Sequence, residues 1–339
     1  MTFTTDSELE FAGLSLVLQP TAATTKSIPL SNWLLECEHS LGWIPLAKNQ
    51  GVTKIFVTLS SPELYPELMQ VIWLKMSQNR TVEWLGKIYE VTGVEVDSAA
   101  LHVLQIPIYA TDILPSTLGR AIHALFFHWL GLADPALAEQ LHRQESLPVS
   151  IAMIPGKSPQ QMFLKIGIVQ REILASFLWG LSQDLGNEIN LTGVTCRLGN
   201  WIEILQSSSF ELLSQVPSQK EITFQFLSPT SFKQSQVIQP FPLPELVFGS
   251  LLRRWNTFAP VGLQFPLVEW RGMTCAYELK TKALKMKGGA EIGTTGWVRY
   301  EFPDRAQAEM ATTLAHFANF AGVGRKTAMG MGQVRMTSL

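Results

Sequence analysis

At 339 residues, with 46% hydrophobic and 16% charged content, the chain has the composition of an ordered globular protein large enough for two or three domains, which excludes a disordered or low-complexity polymer. No apolar run reaches the about 18 uncharged residues of a membrane-spanning helix, and the polar stretch Met1 to Glu8 lacks the layout of a signal peptide, so a cytoplasmic protein with no membrane partner is expected. The formal net charge of −2 hides a division: residues 1–98 carry 6 Lys/Arg against 11 Asp/Glu, residues 99–339 carry 20 against 17, and the excess cations cluster after residue 250.

In chain order, Lys54 to Ser60 reads as a strand, Pro62 to Met76 as a helix and Val82 to Tyr89 as extended chain, a small mixed α/β region occupying residues 1–98. Its acidic balance argues against direct contact with a polyanion, and it is expected to be dispensable for the chemistry of the remainder. Leu101 to Ile108 is strand-like. Ser116 to Leu130 is an amphipathic helix with a serine start, and Pro135 to Arg143 a second short helix. Val149 to Ile154 and Met162 to Val169 are strands, Gln170 to Leu185 a helix, and Leu191 to Leu205 extended chain. A Ser/Gln/Pro-rich connection, Ser207 to Lys220, marks a boundary. Beyond it come a strand (Glu221 to Leu227), a helix (Leu243 to Phe258), two strands (Cys275 to Met286, Thr295 to Phe302), a helix (Asp304 to Phe320) and a last strand (Gly332 to Met336). The order βαββαβ occurs twice. The expected class is therefore α+β, with two tandem ferredoxin-like (RRM-like) domains, 99–215 and 216–339, after the N-terminal region. Such a fold is silent on chemistry.

The run Gly322-Val-Gly-Arg-Lys-Thr-Ala-Met-Gly-Met-Gly332 lies between the last helix and the last strand. Glycine permits positive φ and close approach of a ligand, and successive N–H groups with Arg325 and Lys326 suit phosphates. Gly322, Gly324, Gly330 and Gly332 are the candidate positions; spacing alone leaves open a turn that merely closes a sheet. A Walker loop requires Gly-Lys-Ser/Thr opening a helix, and a dinucleotide fingerprint requires a strand before the glycines. Here a helix precedes and a strand follows, so a longer polyanion such as RNA fits better than a mononucleotide. Arg253, Arg254, Lys280, Lys282, Lys285 and Lys287 complete the basic group, although the four lysines alone also suit a defended sheet edge.

Three cysteines, Cys37, Cys196 and Cys275, are too few and too far apart for a zinc cluster and fit reduced thiols. None of the six histidines forms His-Glu-x-x-His, so no metal is expected, and no Gly-x-Ser-x-Gly elbow is present. No cofactor is implied. His142 ends the short helix beside Arg143, where a helix C-terminus favours imidazolium and an imidazole can pass a proton near neutral pH. A plain surface histidine is the alternative.

Residues 99–339 resemble the repeat-associated (RAMP) family of CRISPR endoribonucleases that cut precursor crRNA. The resemblance is carried by the glycine loop with its lead-in Phe317-Ala-Asn-Phe320. It is supported by Phe226-Leu-Ser-Pro-Thr-Ser-Phe232, Leu251-Leu-Arg-Arg-Trp-Asn256, Thr295-Gly-Trp-Val-Arg-Tyr300 and the segment Asp134 to His142. It implies CRISPR repeat RNA as substrate and His142 as the catalytic histidine of a metal-independent transesterification. Some relatives place a tyrosine on the first helix and a lysine soon after the histidine. Here Phe127 stands at the former, and no lysine comes before Lys157. His128 is the expected stand-in for the tyrosine and Arg143 for the lost charge. A non-cleaving crRNA-binding subunit of an effector complex is the alternative, with residues 1–98 as the expected docking region for other CRISPR effector or adaptation proteins.

Overall fold

The computed structural model describes residues 12–22, 27–35, 37, 39–47, 53–78, 81–115, 118–286 and 289–337. It is a mixed α+β fold built on several sheets. Among the described residues no helix is long and apolar enough to cross a membrane.

The N-terminal part forms one sheet from β1 (Gly13–Pro20), β2 (Ile28–Pro29), β3 (Gly42–Pro45), β4 (Thr53–Thr58), β5 (Val82–Trp84) and β6 (Lys87–Asp97), in the order β2-β5-β6-β1-β4-β3, with helices α1 (Leu30–Trp33) and α2 (Tyr65–Ser77). Alternation sets its two faces. Leu14, Leu16, Leu18, Ile55 and Val57 pack with Tyr65, Leu68 and Ile72 of α2, while Phe56 and Ile44 join the core of the next part of the chain.

That next part holds β7 (Leu101–Ala110), α3 (Gly119–Ala133), α4 (Pro135–His142), β8 (Val149–Pro155), β9 (Gln161–Ile168), α5 (Arg171–Asp184), β10 (Glu188–Leu191), β11 (Val194–Leu198) and β12 (Glu203–Ser208). The sheet runs β10-β11-β7-β9-β8, and β12 also pairs with β7. The stretch expected to be plain extended chain after Leu191 instead turns at Thr192-Gly193, both at positive φ, into the β10–β11 hairpin. Ser116 and Thr117, the expected helix start, lie outside the described residues.

After the short α6 (Phe210–Ser214), the third part runs β13 (Glu221–Thr230), β14 (Phe232–Gln234), β15 (Val237–Gln239), α7 (Pro244–Phe258), β16 (Met273–Met286), β17 (Gly289–Glu301), α8 (Arg305–Ala321) and β18 (Val334–Thr337). Its antiparallel sheet is ordered β16-β17-β13-β18. β16 and β17 are longer than their sheet requires. Their pairing continues from Met273 opposite Glu301 to Met286 opposite Gly289, as a ribbon projecting beyond β13.

Two helices are buried on opposite faces and thereby join the parts. α8 packs under its own sheet and across β7, β8 and β9; Ser150 Oγ donates to the Phe320 carbonyl at 2.7 Å. Gly167 is what allows the contact, since a Cβ there would stand 2.0 Å from that same oxygen. α5 lies between the first two sheets, with Ala175 in the N-terminal core and Phe177 in the middle one. Ser176 Oγ donates to the Ser60 carbonyl at 2.8 Å and Trp179 Nε1 to that of Ser40 at 2.9 Å. The acidic N-terminal region is therefore packed against the rest, not held apart from it.

Candidate functional site

Asp134 starts α4: its Oδ1 accepts from Leu137 N at 2.9 Å, and Pro135 takes the first helical position, where a missing N–H costs nothing. Two turns later the helix ends at His142, exposed, and the chain returns through 143–148 to β8. α3 runs beside α4 and presents His123 and Phe127, which share a helix face at four-residue spacing. The His123 and His142 ring centroids are 5.9 Å apart, and Phe127 stands edge-on to His142 at 5.0 Å. Burial holds the His123 imidazolium below the usual histidine range, the charge of His142 adds to this, and the Ala328 backbone works in the opposite direction.

These rings open onto a cleft of about 720 Å³ lined also by Gln144 to Leu147, by Ser250, Arg253, Arg254 and Thr257 of α7, and by Gly324 to Met329. The glycine loop forms its far wall. Gly322, Gly324, Gly330 and Gly332 all have positive φ, and Lys326 is left-handed at φ 53°. A Cβ at Gly332 would lie 2.1 Å from the Val323 carbonyl, and one at Gly324 2.4 Å from that of Ser231. The glycines thus fold the loop onto itself and onto the protein.

The amides of its glycines and of Arg325 are taken up in the same way. Gly324 N donates to Ser250 Oγ, Arg325 N to Ser231 O, Gly330 N to Ile151 O and Gly332 N to Pro229 O. The expectation that these amides, with Gly322, cradle phosphate is corrected accordingly: Gly322 N, too, donates to Ala318 O. What the loop offers the cleft is side chains. Arg325 Nη1 lies 3.1 Å from Glu291 Oε2 and Lys326 Nζ engages the other oxygen of that carboxylate. Hydrogen bonding from Lys326, with Arg325 adding charge, holds the Glu291 carboxyl below its ordinary value although partial burial opposes this. Glu291 sits on the projecting ribbon, opposite Leu284 in register.

The other expected residues are divided between this cleft and elsewhere. Arg253 is exposed on its wall. Arg254 reaches the lining with only 9% of its surface exposed, and its guanidinium is turned to Thr327, Leu147 and Val149, which corrects the expectation of an exposed phosphate contact. His128 is one residue beyond Phe127, a rotation of about 100° on the helix, and points to α5, where Nε2 is 3.6 Å from Asp184 Oδ2. It takes no place beside His142. Arg143 is highly exposed and pairs with Glu139 on its own helix, outside the cleft lining. Lys280 and Lys282 are exposed on β16, outside that lining; Lys285 follows on the same strand, and Lys287 lies outside the described residues. The metal-ligand pattern sought among the six histidines does not single out His123. Its four-residue spacing to Phe127, facing the helix that ends in His142, was the available signal.

Residues 224–334 match the CRISPR-associated endoribonuclease Cas6. That segment contains α7, the ribbon and the whole glycine loop. The chain superposes on the product complex of a Thermus thermophilus Cas6 (TTHB231) with a TM-score of 0.64 at 24% identity, covering 71% of this chain and 100% of that one. A Cas6 (TTHA0078) product complex gives 0.57 at 25% identity, covering 70% and 100%. A RAMP protein described as binding different RNA substrates gives 0.51 at 15%, also covering 70% and 100%, a likeness of fold alone. No curated protein sequence matches the chain. The resemblance to crRNA-processing endoribonucleases thus rests on the Cas6 segment and on a shared fold over about 70% of the chain.

Proposed function

We propose that this chain is a metal-independent endoribonuclease that binds CRISPR repeat RNA and cleaves precursor crRNA, with residues 99–215 and 216–339 acting as two ferredoxin-like units around the cleft. The observation that carries the reading is the His123–His142 pair, its rings 5.9 Å apart, at the mouth of a cleft whose opposite wall is cationic. His123, held below the usual histidine range, is neutral near pH 7 and takes the proton of the RNA 2′-hydroxyl. The 2′-oxygen attacks phosphorus, the bond to the 5′-oxygen breaks, and His142 as imidazolium gives its proton to the leaving oxygen. The products are a 2′,3′-cyclic phosphate and a 5′-hydroxyl. Arg253 and Lys326 face the region where charge grows on the non-bridging oxygens. This replaces His128 and Arg143 in the expected set.

The reading draws support from the Cas6 match and from the product complexes of the similar Cas6 structures. Its test is cleavage of labelled repeat RNA in EDTA by the wild type, His123→Ala and His142→Ala. Each variant should cut about 100- to 10,000-fold more slowly with RNA affinity retained. Wild-type rates in both variants would refute the pair as the catalytic groups, and no cutting by the wild type would leave a crRNA-binding subunit.

A further inference from the structure

Arg254 lies buried in the floor of the cleft, and its contacts come from two separate segments. Nη1 donates to Thr327 Oγ1; Nη2 donates to the Leu147 carbonyl at 2.9 Å and to that of Val149 at 3.4 Å. Among the described residues no carboxylate pairs with it. Its guanidinium is kept by neutral oxygens, and burial alone pulls its pKa down to about 10. A buried cation without a counter-ion is an expensive choice where an apolar side chain would fill the space, so the fork needs a purpose beyond filling.

The partners show what that purpose is. Leu147 and Val149 bracket the end of the return from His142 into β8, so the fork fixes the backbone on the C-terminal side of that imidazole. Thr327 opens the 3₁₀ turn Thr327–Met329, and the next residue, Ala328, is the backbone beside His123. One rigid planar group therefore ties down the chain that bears His142 and the turn that abuts His123. We propose that Arg254 is a positioning residue for the histidine pair, acting through Leu147 and Thr327 without touching RNA. The proposal rests on the nuclease reading above. Lysine cannot replace it, because an ammonium is a point donor without the two-armed fork that spans both segments. A displacement of about 1 Å at reacting groups costs on the order of 100-fold in rate.

The experiment measures single-turnover cleavage at saturating repeat RNA, RNA affinity, and the histidine titrations by NMR. The proteins are the wild type, His142→Ala, Arg254→Lys, Arg254→Met and Thr327→Val. Arg254→Lys and Arg254→Met should cut at least 10-fold more slowly, with RNA affinity within about 3-fold of wild type and the effect of His142 on the His123 titration reduced. Thr327→Val removes one acceptor, leaves Arg254 in place and should show the same pattern more mildly; it decides the matter if either arginine variant fails to fold. Two results would overturn the proposal while leaving the nuclease reading intact. One is wild-type rates and titrations in the folded variants beside an inactive His142→Ala. The other is weakened affinity with an unchanged rate at saturation, which would make Arg254 an RNA contact. Cleavage by His142→Ala at the wild-type rate would instead remove the nuclease reading itself.

Discussion

Replacing Glu291 by Gln should tighten RNA binding. One carboxylate neutralises both Arg325 and Lys326, and the three side chains are only 21%, 30% and 29% exposed, so the pairs are less screened than surface ion pairs. Exposed pairs are worth about 0 to 1 kcal/mol, and Coulomb's law at about 4 Å and an effective dielectric of 20 gives an upper bound of about 4 kcal/mol. A bifurcated, partly buried carboxylate falls between these limits, at about 1 to 2 kcal/mol, which RNA phosphates must offset before they reach the two cations. Glu291→Gln keeps the shape and removes that competition, so affinity for repeat RNA should rise about 5- to 30-fold at low salt. The salt dependence should steepen by up to about 1.4 units of log K against log salt, at ~0.7 for each phosphate newly met on a single strand. The assay is fluorescence anisotropy with labelled repeat RNA from low to moderate salt, with Arg325→Ala/Lys326→Ala made in both backgrounds as a double-mutant cycle. If the gain survives loss of both cations, or if affinity and slope do not change at all, the glycine-loop side chains do not meet RNA.

The acid side of the cleavage profile should lie below the ordinary histidine range, because His123 must be neutral to act as base and its folded pKa is depressed; His123→Gln should abolish that limb in rate measurements from pH 4.5 to 8 in buffers of about pH-independent ionic strength. By linkage, a histidine with a lowered folded pKa contributes stability that is fully present above its unfolded pKa and lost as pH falls through the depressed folded value, so the stability difference between wild type and His123→Gln should shrink on acidification in denaturant titrations. Glu291 has the same sense for a carboxylate: its contribution is present above about pH 4.3 and lost as pH falls through the depressed folded value, visible as convergence of wild-type and Glu291→Gln melting temperatures in acid. Phe56, 1% exposed and part of the middle core although it sits on an N-terminal strand, should cost about 3 to 5 kcal/mol when changed to Ala, whereas the 60% exposed Trp73 should tolerate Ser; equal melting temperatures for the two variants would show that the sheets are not one packed body. A chain beginning at Ser98 should accordingly lose cooperative unfolding and cleavage together, contrary to what the charge of residues 1–98 suggested.

The elements were legible because their periodicities are strong. The strand expected over Leu101 to Ile108 is Leu101–Ala110, and the helices expected to end at Phe258 and Phe320 end at Phe258 and Ala321, with Asp134, Pro135, Pro244 and Asp304 supplying starts. The docking of the N-terminal sheet was not legible, since Phe56, Ser60 and α5 meet through contacts more than a hundred residues apart, and charge balance says nothing of such packing. The site was half legible. His142 is a candidate from its helix end alone, but the proposal of His123 in place of His128 as its companion required knowing that α4 folds back along the Phe127 face. In the loop, glycine content marked an unusual backbone correctly and misled on its purpose, because the freedom at Gly324 and Gly332 serves contacts with Ser231 and Val323 that sequence spacing does not show. Arg253 and Arg254 are neighbours with opposite fates, decided by which side of α7 faces the core.

The most direct measurement of the central claim is cleavage of repeat RNA carrying one 2′-deoxy nucleotide immediately 5′ of the scissile phosphate, compared with unmodified RNA in EDTA, with end-group analysis of the products. Attack by the RNA's own 2′-hydroxyl predicts that the modified RNA binds with unchanged affinity and stays intact, while the unmodified RNA yields a 2′,3′-cyclic phosphate and a 5′-hydroxyl. Cutting of the deoxy substrate, or a 5′-phosphate on the product, would show that water is the nucleophile and contradict the account.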